Sequence, residues 1–392
     1  MKISLILIIS LLYLRSSRAQ SQTLNLGGAA PKGYYAEMPY EFIGGKIIIK
    51  AELGGKLRRF LLDTGAPVAI SKELSAELKA DLIYNNMIRD VNGVADSAAV
   101  VRLGHIRLGN IDFVDIPAVV VESDFYKCFD IEGVIGSNLF RNSIITIAGD
   151  RRQIIITDQP DKVKLNPKSS VPMITTGKNN QQSNPFIKVT LKYGVGMLLG
   201  FDTGDSDFLR FTDDYMMQLQ NKGVYDIVAK GYGANSVGLF GLQAVADKYL
   251  LKLSAITIGT ARFNNVITET NKGGLPAMGT KLLEYGNVTL DFIKGKFYFD
   301  AHKPVHDLNR KIWPFQPVVS DGKLVVGLIW DKSGNSVKPG EQITEIDGQA
   351  YPSVSLCEMI TSKQPLLAGK ESAVIQLKDQ QGKSRKLLIT KN

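Results

Sequence analysis

"FIGGKIIIKAELGGKLRRFLLDTGAPVAISKELSAEL", residues 42–78, has a counterpart in "PFIKVTLKYGVGMLLGFDTGDSDFLRFTDDYMMQL", residues 185–219. Each stretch reads as a strand of β-branched and apolar residues, a Gly-containing turn, and a second strand ending in Asp-Thr-Gly. Each then enters a helix-like stretch opened by a hydroxyl residue, Ser71 or Thr212, in the manner of an N-cap. The match continues downstream. "VRLGHIRLGNIDFVDIPAVVV" (101–121) parallels "LLKLSAITIGTARFNNVIT" (250–268), and "EGVIGSNLFRNSIITIAGDRRQIII" (132–156) parallels "PAMGTKLLEYGNVTLDFIKGKFYF" (276–299). The offset varies along the repeat, as surface insertions allow. Two equivalent, mainly β lobes are therefore expected, over residues 37–163 and 164–303. The polar, proline-containing "DQPDKVKLNPKSS" (158–170) connects them. Such a duplication generates a pseudo-twofold axis that sets the same loop of each lobe face to face.

The chain of 392 residues is too long for one average core. Its 44% hydrophobic and 22% charged residues describe a folded chain rather than a disordered one. The first residues differ from the rest: Lys2, the apolar run Ile3–Leu14, then "RSSRAQS" with Ser17 and Ala19 at the spacing a signal peptidase reads. Residues 1–19 are expected to be a secretory signal, and the apolar run is short for a membrane span. Removing Lys2, Arg15 and Arg18 with it lowers the net charge from +9 to +6. That excess is spread along the chain without basic runs or interleaved aromatics, so no nucleic-acid partner is expected. The three histidines and two cysteines form no metal-binding spacing, so no metal and no cofactor are expected. Cys128 and Cys357 lie far apart in different expected domains, which argues against a disulfide.

One Asp-Thr-Gly is weak evidence. Two, at matched places in a repeat, point to chemistry. Carboxylates held within hydrogen-bond reach cannot both ionise and so share one proton. The ionised partner can take a proton from a bound water while the protonated partner polarises a carbonyl. Glycine after the threonine permits close backbone packing. The hydroxyls can bond across to the opposite loop and lock the pair.

These motifs resemble the aspartic peptidases, and the paired lobes resemble retropepsin-type domains fused in tandem. In that family a hydrophobic-hydrophobic-Gly element follows each loop. "GVIGSNL" (133–139) fits it, and "PAMGTKLL" (276–283) fits it loosely. The resemblance implies Asp63 and Asp202 as the catalytic dyad, Thr64 and Thr203 as a cross-lobe grip, and Gly65 and Gly204 as turn glycines. Two departures stand next to the dyad. Ala66, as in viral retropepsins, is followed by Pro67, which fixes φ and removes a donor. Asp205 follows Gly204 where the family has Ala, Ser or Thr. Facing the dyad, it would raise the dyad's proton affinity and move peak activity toward neutrality; facing outward, it would help to cap the next helix.

A covering hairpin belongs between the Asp-Thr-Gly loop and the Gly109 strand. "RDVNGVADSAAV" (89–100) supplies an Asn-Gly turn at Asn92–Gly93, and "KGYGANSVGLFG" (230–241) occupies the same place in the second lobe. Ordinary surface hairpins are the competing reading of both.

The repeat stops near residue 304. "GNSVKPGEQITEIDGQAYPSVSLCEMI" (334–360), followed by two strands, resembles the core of a bacterial PDZ domain with Glu341 in place of the common Asp. That resemblance implies a β/α module over 304–392 that receives a peptide terminus by β-addition; a structural cap is the alternative. Trp313 and Trp330 read as core or interdomain packing. With residues 20–36 expected as an N-terminal linker, the resemblance implies an exported, periplasmic or extracellular aspartic endopeptidase acting on peptide or protein. Its rival is a catalytically impaired peptide-binding protein, a reading that rests on Pro67 and Asp205.

Overall fold

The computed structural model describes residues 23–176, 182–239, 241–331, 337–362 and 366–392. The expected signal at 1–19 lies outside them. The fold is mainly β. In the first lobe, strands Lys46–Leu53 and Lys56–Asp63 form a hairpin closed by Gly54 and Gly55, both at positive φ. Asp63 is its last residue. Ile47, Ile49, Phe60 and Leu62 enter the main core, while Ile48 and Leu61 on the opposite face enter a second cluster with Tyr126 and Phe129. Burial on both faces explains why this strand is apolar without alternation.

Strand Gly133–Gly136 runs parallel to the Asp63 strand, with Val134 opposite Leu61 and Gly136 opposite Asp63. A Cβ on Gly136 would lie 2.2 Å from the carbonyl carbon of Pro67, so glycine is required where the Asp63 loop crosses. The second lobe repeats this arrangement. Ala277–Met278 runs parallel to Gly196–Phe201, with Ala277 opposite Gly200, and a Cβ on Gly279 would lie 2.4 Å from the carbonyl of Asp207.

A six-stranded antiparallel sheet joins the lobes in the order Tyr35–Pro39, Gln153–Thr157, Ile144–Ala148, Gly286–Asp291, Lys296–Ala301 and Ser170–Thr176. At its centre the Thr146 and Thr289 hydroxyls meet at 2.8 Å, equivalent residues across the pseudo-twofold axis. The segment read as a linker is tied in. Gly28 and Ala29 pair with Val114 and Phe113, and the Asn138 side chain donates to the carbonyl of Leu24.

The C-terminal strands Phe315–Ser320, Lys323–Trp330, Gln342–Ile346, Ser372–Lys378 and Ser384–Thr390 and the helix Leu356–Thr361 enclose their own core. Glu341 is held by both arms of Arg385 at 2.6 and 2.7 Å. This unit is clasped to the lobes at two places. Strand Lys323–Trp330 adds to Tyr225–Gly233 of the second lobe, and Gly231 makes room for the buried Trp330 ring. On the other side, Cys128 and Cys357 form a disulfide. The sequence-based expectation against that bond is thereby overturned. Separation along the chain is no measure of distance in space: Cys128 lies in helix Asp124–Phe129, Cys357 in helix Leu356–Thr361, and the two helices pack together, with Ile360, Phe125 and Ile43 around the bond.

Candidate active site

Asp63 closes its strand and Asp202 directly follows the equivalent strand Gly196–Phe201; the two meet at the pseudo-twofold axis, each carboxyl set against the glycine of the opposite loop. The Gly65 amide donates to Asp63 Oδ1 at 2.8 Å, and the Gly204 amide to Asp202 Oδ1 at 2.9 Å. Each Oδ1 is thus the inner oxygen and each Oδ2 the outer one. Neither glycine admits a side chain. A Cβ on Gly65 would sit 2.4 Å from the carboxyl carbon of Asp202, and one on Gly204 would sit 2.3 Å from Asp63 Oδ2.

Thr64 and Thr203, both fully buried, lock the loops. The Thr64 amide donates to Thr203 Oγ1 at 3.0 Å, and the Thr203 amide to Thr64 Oγ1 at 3.1 Å. Each hydroxyl then donates across the lobes, Thr64 to the carbonyl of Phe201 at 2.6 Å and Thr203 to that of Leu62 at 2.8 Å. Every polar atom of the grip is satisfied, which buried groups require.

A second cross-lobe pair has no signature in the motif. Strand register makes Lys46 the equivalent of Asn184. Lys46 Nζ donates to the carbonyl of Gly204, and Asn184 Nδ2 donates to that of Gly65 at 2.7 Å. The fact that both residues occupy the first position of their strand is the only sequence signal for them.

Burial, then the neighbouring Asp202 carboxyl, hold the Asp63 carboxyl well above the usual carboxylate range. The Gly65 amide and Lys46 oppose this in part. Burial and proximity favour one proton on the pair over two bare charges. Asp202 also faces a cation: Arg210 Nη2 lies 3.3 Å from its outer oxygen, and Nη1 lies 2.8 Å from Asp205 Oδ2. Arg210 was missed from sequence; its one trace there is a cation eight residues beyond an acid-flanked Asp-Thr-Gly.

The Asp205 side chain points inward and is 10% exposed. The outward, capping alternative is excluded, since Thr212 caps the next helix through the Tyr215 amide. The other expectation, an added bare negative charge on the dyad, also changes, because Arg210 meets that charge. Burial, against the opposing pull of Arg210, pushes the Asp205 carboxyl up to about 6. Pro67 is accommodated as well. The Ala66 carbonyl accepts from Ser137, and the Val68 amide donates to Asn138 at 2.8 Å, so the peptide groups on either side of the proline are held.

The two candidate covering hairpins meet. Strands Asp81–Arg89 and Ala95–Leu108 turn through Asn92 and Gly93, the latter at φ +82°. Strands Tyr225–Gly233 and Ala246–Ile258 carry the opposing tip. Ser236 Oγ donates to Asn92 Oδ1 at 3.2 Å, and Asn92 Nδ2 to the carbonyl of Gly241 at 3.3 Å. Leu239 reaches into the first lobe, where it packs in the cluster containing Ala66 and Phe125, and Ser123 Oγ donates to its carbonyl at 3.1 Å.

Residues 49–139 match the family model described as Aspartyl protease, which supports a hydrolase of the protease type. No curated protein matches the chain. Among solved structures, the chain is similar to an aspartic proteinase from Irpex lacteus at 11% identity and a TM-score of 0.42, over 68% of this chain and 97% of that one. Basic 7S globulin from soybean aligns at 11% identity and a TM-score of 0.39, over 68% and 95%. A retropepsin-like aspartic protease from Rickettsia conorii aligns at 23% identity and a TM-score of 0.26, over 32% of this chain and 94% of that one.

Proposed function

We propose that this chain is an exported aspartic endopeptidase that hydrolyses peptide bonds with Asp63 and Asp202. The reading is carried by one observation, two carboxyls brought face to face by equivalent loops that the reciprocal Thr64–Thr203 grip holds. Asp202, ion-paired to Arg210, takes a proton from the attacking water, while Asp63 donates its proton to the scissile carbonyl oxygen. The tetrahedral intermediate collapses with proton transfer to the leaving amine, and no covalent acyl-enzyme forms. The hairpin tips at Asn92 and Ser236 part to admit a polypeptide and close over it, excluding water from the dyad.

The C-terminal unit serves as a PDZ-like module that positions polypeptide. A cavity of about 340 Å³ supports this, since Val237 and Leu242 of the second hairpin line it together with Val319, Gly322 and Leu356 of that unit. Export is supported by the apolar leader and by a disulfide, a bond that persists in oxidising compartments. That Pro67 and Asp205 are both accommodated beside the paired loops supports this reading over the binding-protein rival. A library of peptides blocked at both ends tests the endopeptidase reading. Internal cleavage is expected; cleavage confined to peptides with a free terminus would reject it.

A further inference from the structure

The two lobes are equivalent in backbone but not in charge. Strand register identifies the difference. Val134 pairs antiparallel with Ala69 and parallel with Leu61, two residues before Asp63. Ala277 bridges antiparallel to Arg210 and pairs parallel with Gly200, two residues before Asp202. Arg210 therefore stands where the first lobe has Ala69, and Asp205, third after its aspartate, stands where the first lobe has Ala66. Two alanines in one lobe are an ion pair in the other.

That pair is largely buried, with side-chain exposures of 16% for Arg210 and 10% for Asp205. Taking both charges out of water is expensive, and well-packed apolar residues at such places are often as stable or more so. The first lobe shows that alanines suffice for the backbone. The Arg210 amide donates to the Ala277 carbonyl at 2.8 Å and the Ala277 amide to the Arg210 carbonyl at 3.0 Å, so the guanidinium springs from a backbone fixed to the strand beside Asp202.

We propose that Arg210 is a positioning residue that makes the dyad asymmetric: it fixes the negative charge on Asp202 through that carboxyl's outer oxygen, with Asp205 as its anchor. The inference rests on the reading of Asp63 and Asp202 as a peptidase dyad. The other charged or titratable groups facing this set are Asp63, Lys46, Asp207 and Tyr126. Lys46 is engaged by the carbonyl of Gly204, and the Tyr126 hydroxyl is buried and neutral. Arg210 is thus the one cation among them that touches a dyad carboxyl. Asp205, pushed up to about 6, is protonated on the acid side and leaves the guanidinium to Asp202; once ionised, it shares it.

The test is the pH dependence of kcat/KM for wild type, Arg210→Met, Arg210→Lys and Asp205→Asn. Loss of an opposite charge at this range moves a carboxyl by about one to three pH units. Arg210→Met is expected to shift the acid limb upward by that amount, Arg210→Lys to restore most of the shift, and Asp205→Asn to move the alkaline limb downward. Lower rates with unmoved limbs would mean packing alone and overturn the proposal. Arg210→Gln replaces the Met variant if the latter does not fold. If wild-type cleavage is absent or independent of Asp63 and Asp202, the peptidase reading falls. Carboxyl ¹³C titration by NMR then decides the role of Arg210: a dyad that titrates at higher pH in the Met variant supports it, and an unchanged dyad rejects it.

Discussion

Thr64 and Thr203 each donate a backbone amide to the other's hydroxyl, at 3.0 and 3.1 Å, across the axis that relates the two lobes. Thr→Val at either position keeps the shape and removes one hydroxyl, leaving a buried amide and a carbonyl without partners. Each orphaned group costs about 1–3 kcal/mol. Urea unfolding should show a loss of that order for either single variant, accompanied by a fall in peptidase activity. The double variant should cost less than the sum of the two singles, because they share one network.

Gly65→Ala and Gly204→Ala place a methyl carbon within 2.4 Å of the opposite aspartate's carboxyl. The backbone there has nowhere to retreat, since the grip holds it from both sides. Both variants should lose cleavage by several orders of magnitude, measured on the best library peptide.

Asp205 gives stability a dependence on pH. Its folded-state carboxyl is raised from 3.8 to about 6, so the folded protein holds that proton more tightly than the unfolded chain does. The stabilisation is full below about pH 4 and is lost as pH rises through about 6. A shift of that size corresponds to about 3 kcal/mol. Wild type should therefore lose stability between pH 4 and 6 in denaturant titrations. Asp205→Asn should flatten that slope.

The disulfide closes a loop with a sequence separation of 229 residues. Loop-closure entropy puts its contribution at about 5 kcal/mol as an upper bound. Cys128→Ser with Cys357→Ser should lower Tm. It should also make the connection near residues 302–314 more open to limited proteolysis, because the covalent tie on the side opposite the Lys323–Trp330 strand pairing is then gone.

The grip and the dyad were legible in the sequence because the repeat brings the same short motif into register twice. Gly136 and Gly279 were legible for the same reason. Arg210 was not. Two extra residues in "DSDFLR" displace it from alignment with Ala69, and only the pairing of Val134 and Ala277 restores the equivalence. Lys46 and Asn184 share no chemistry that a repeat search could match, although both reach the same carbonyl position. The disulfide depended on how the C-terminal unit docks, and long-range docking leaves no periodic trace.

Cleavage of a doubly blocked peptide by wild type, Asp63→Asn and Asp202→Asn, each verified as folded, tests the central claim most directly. Wild type should cut and both variants should not. Cleavage surviving either substitution, or absent from all three proteins, would contradict the assignment of Asp63 and Asp202 as a peptidase dyad.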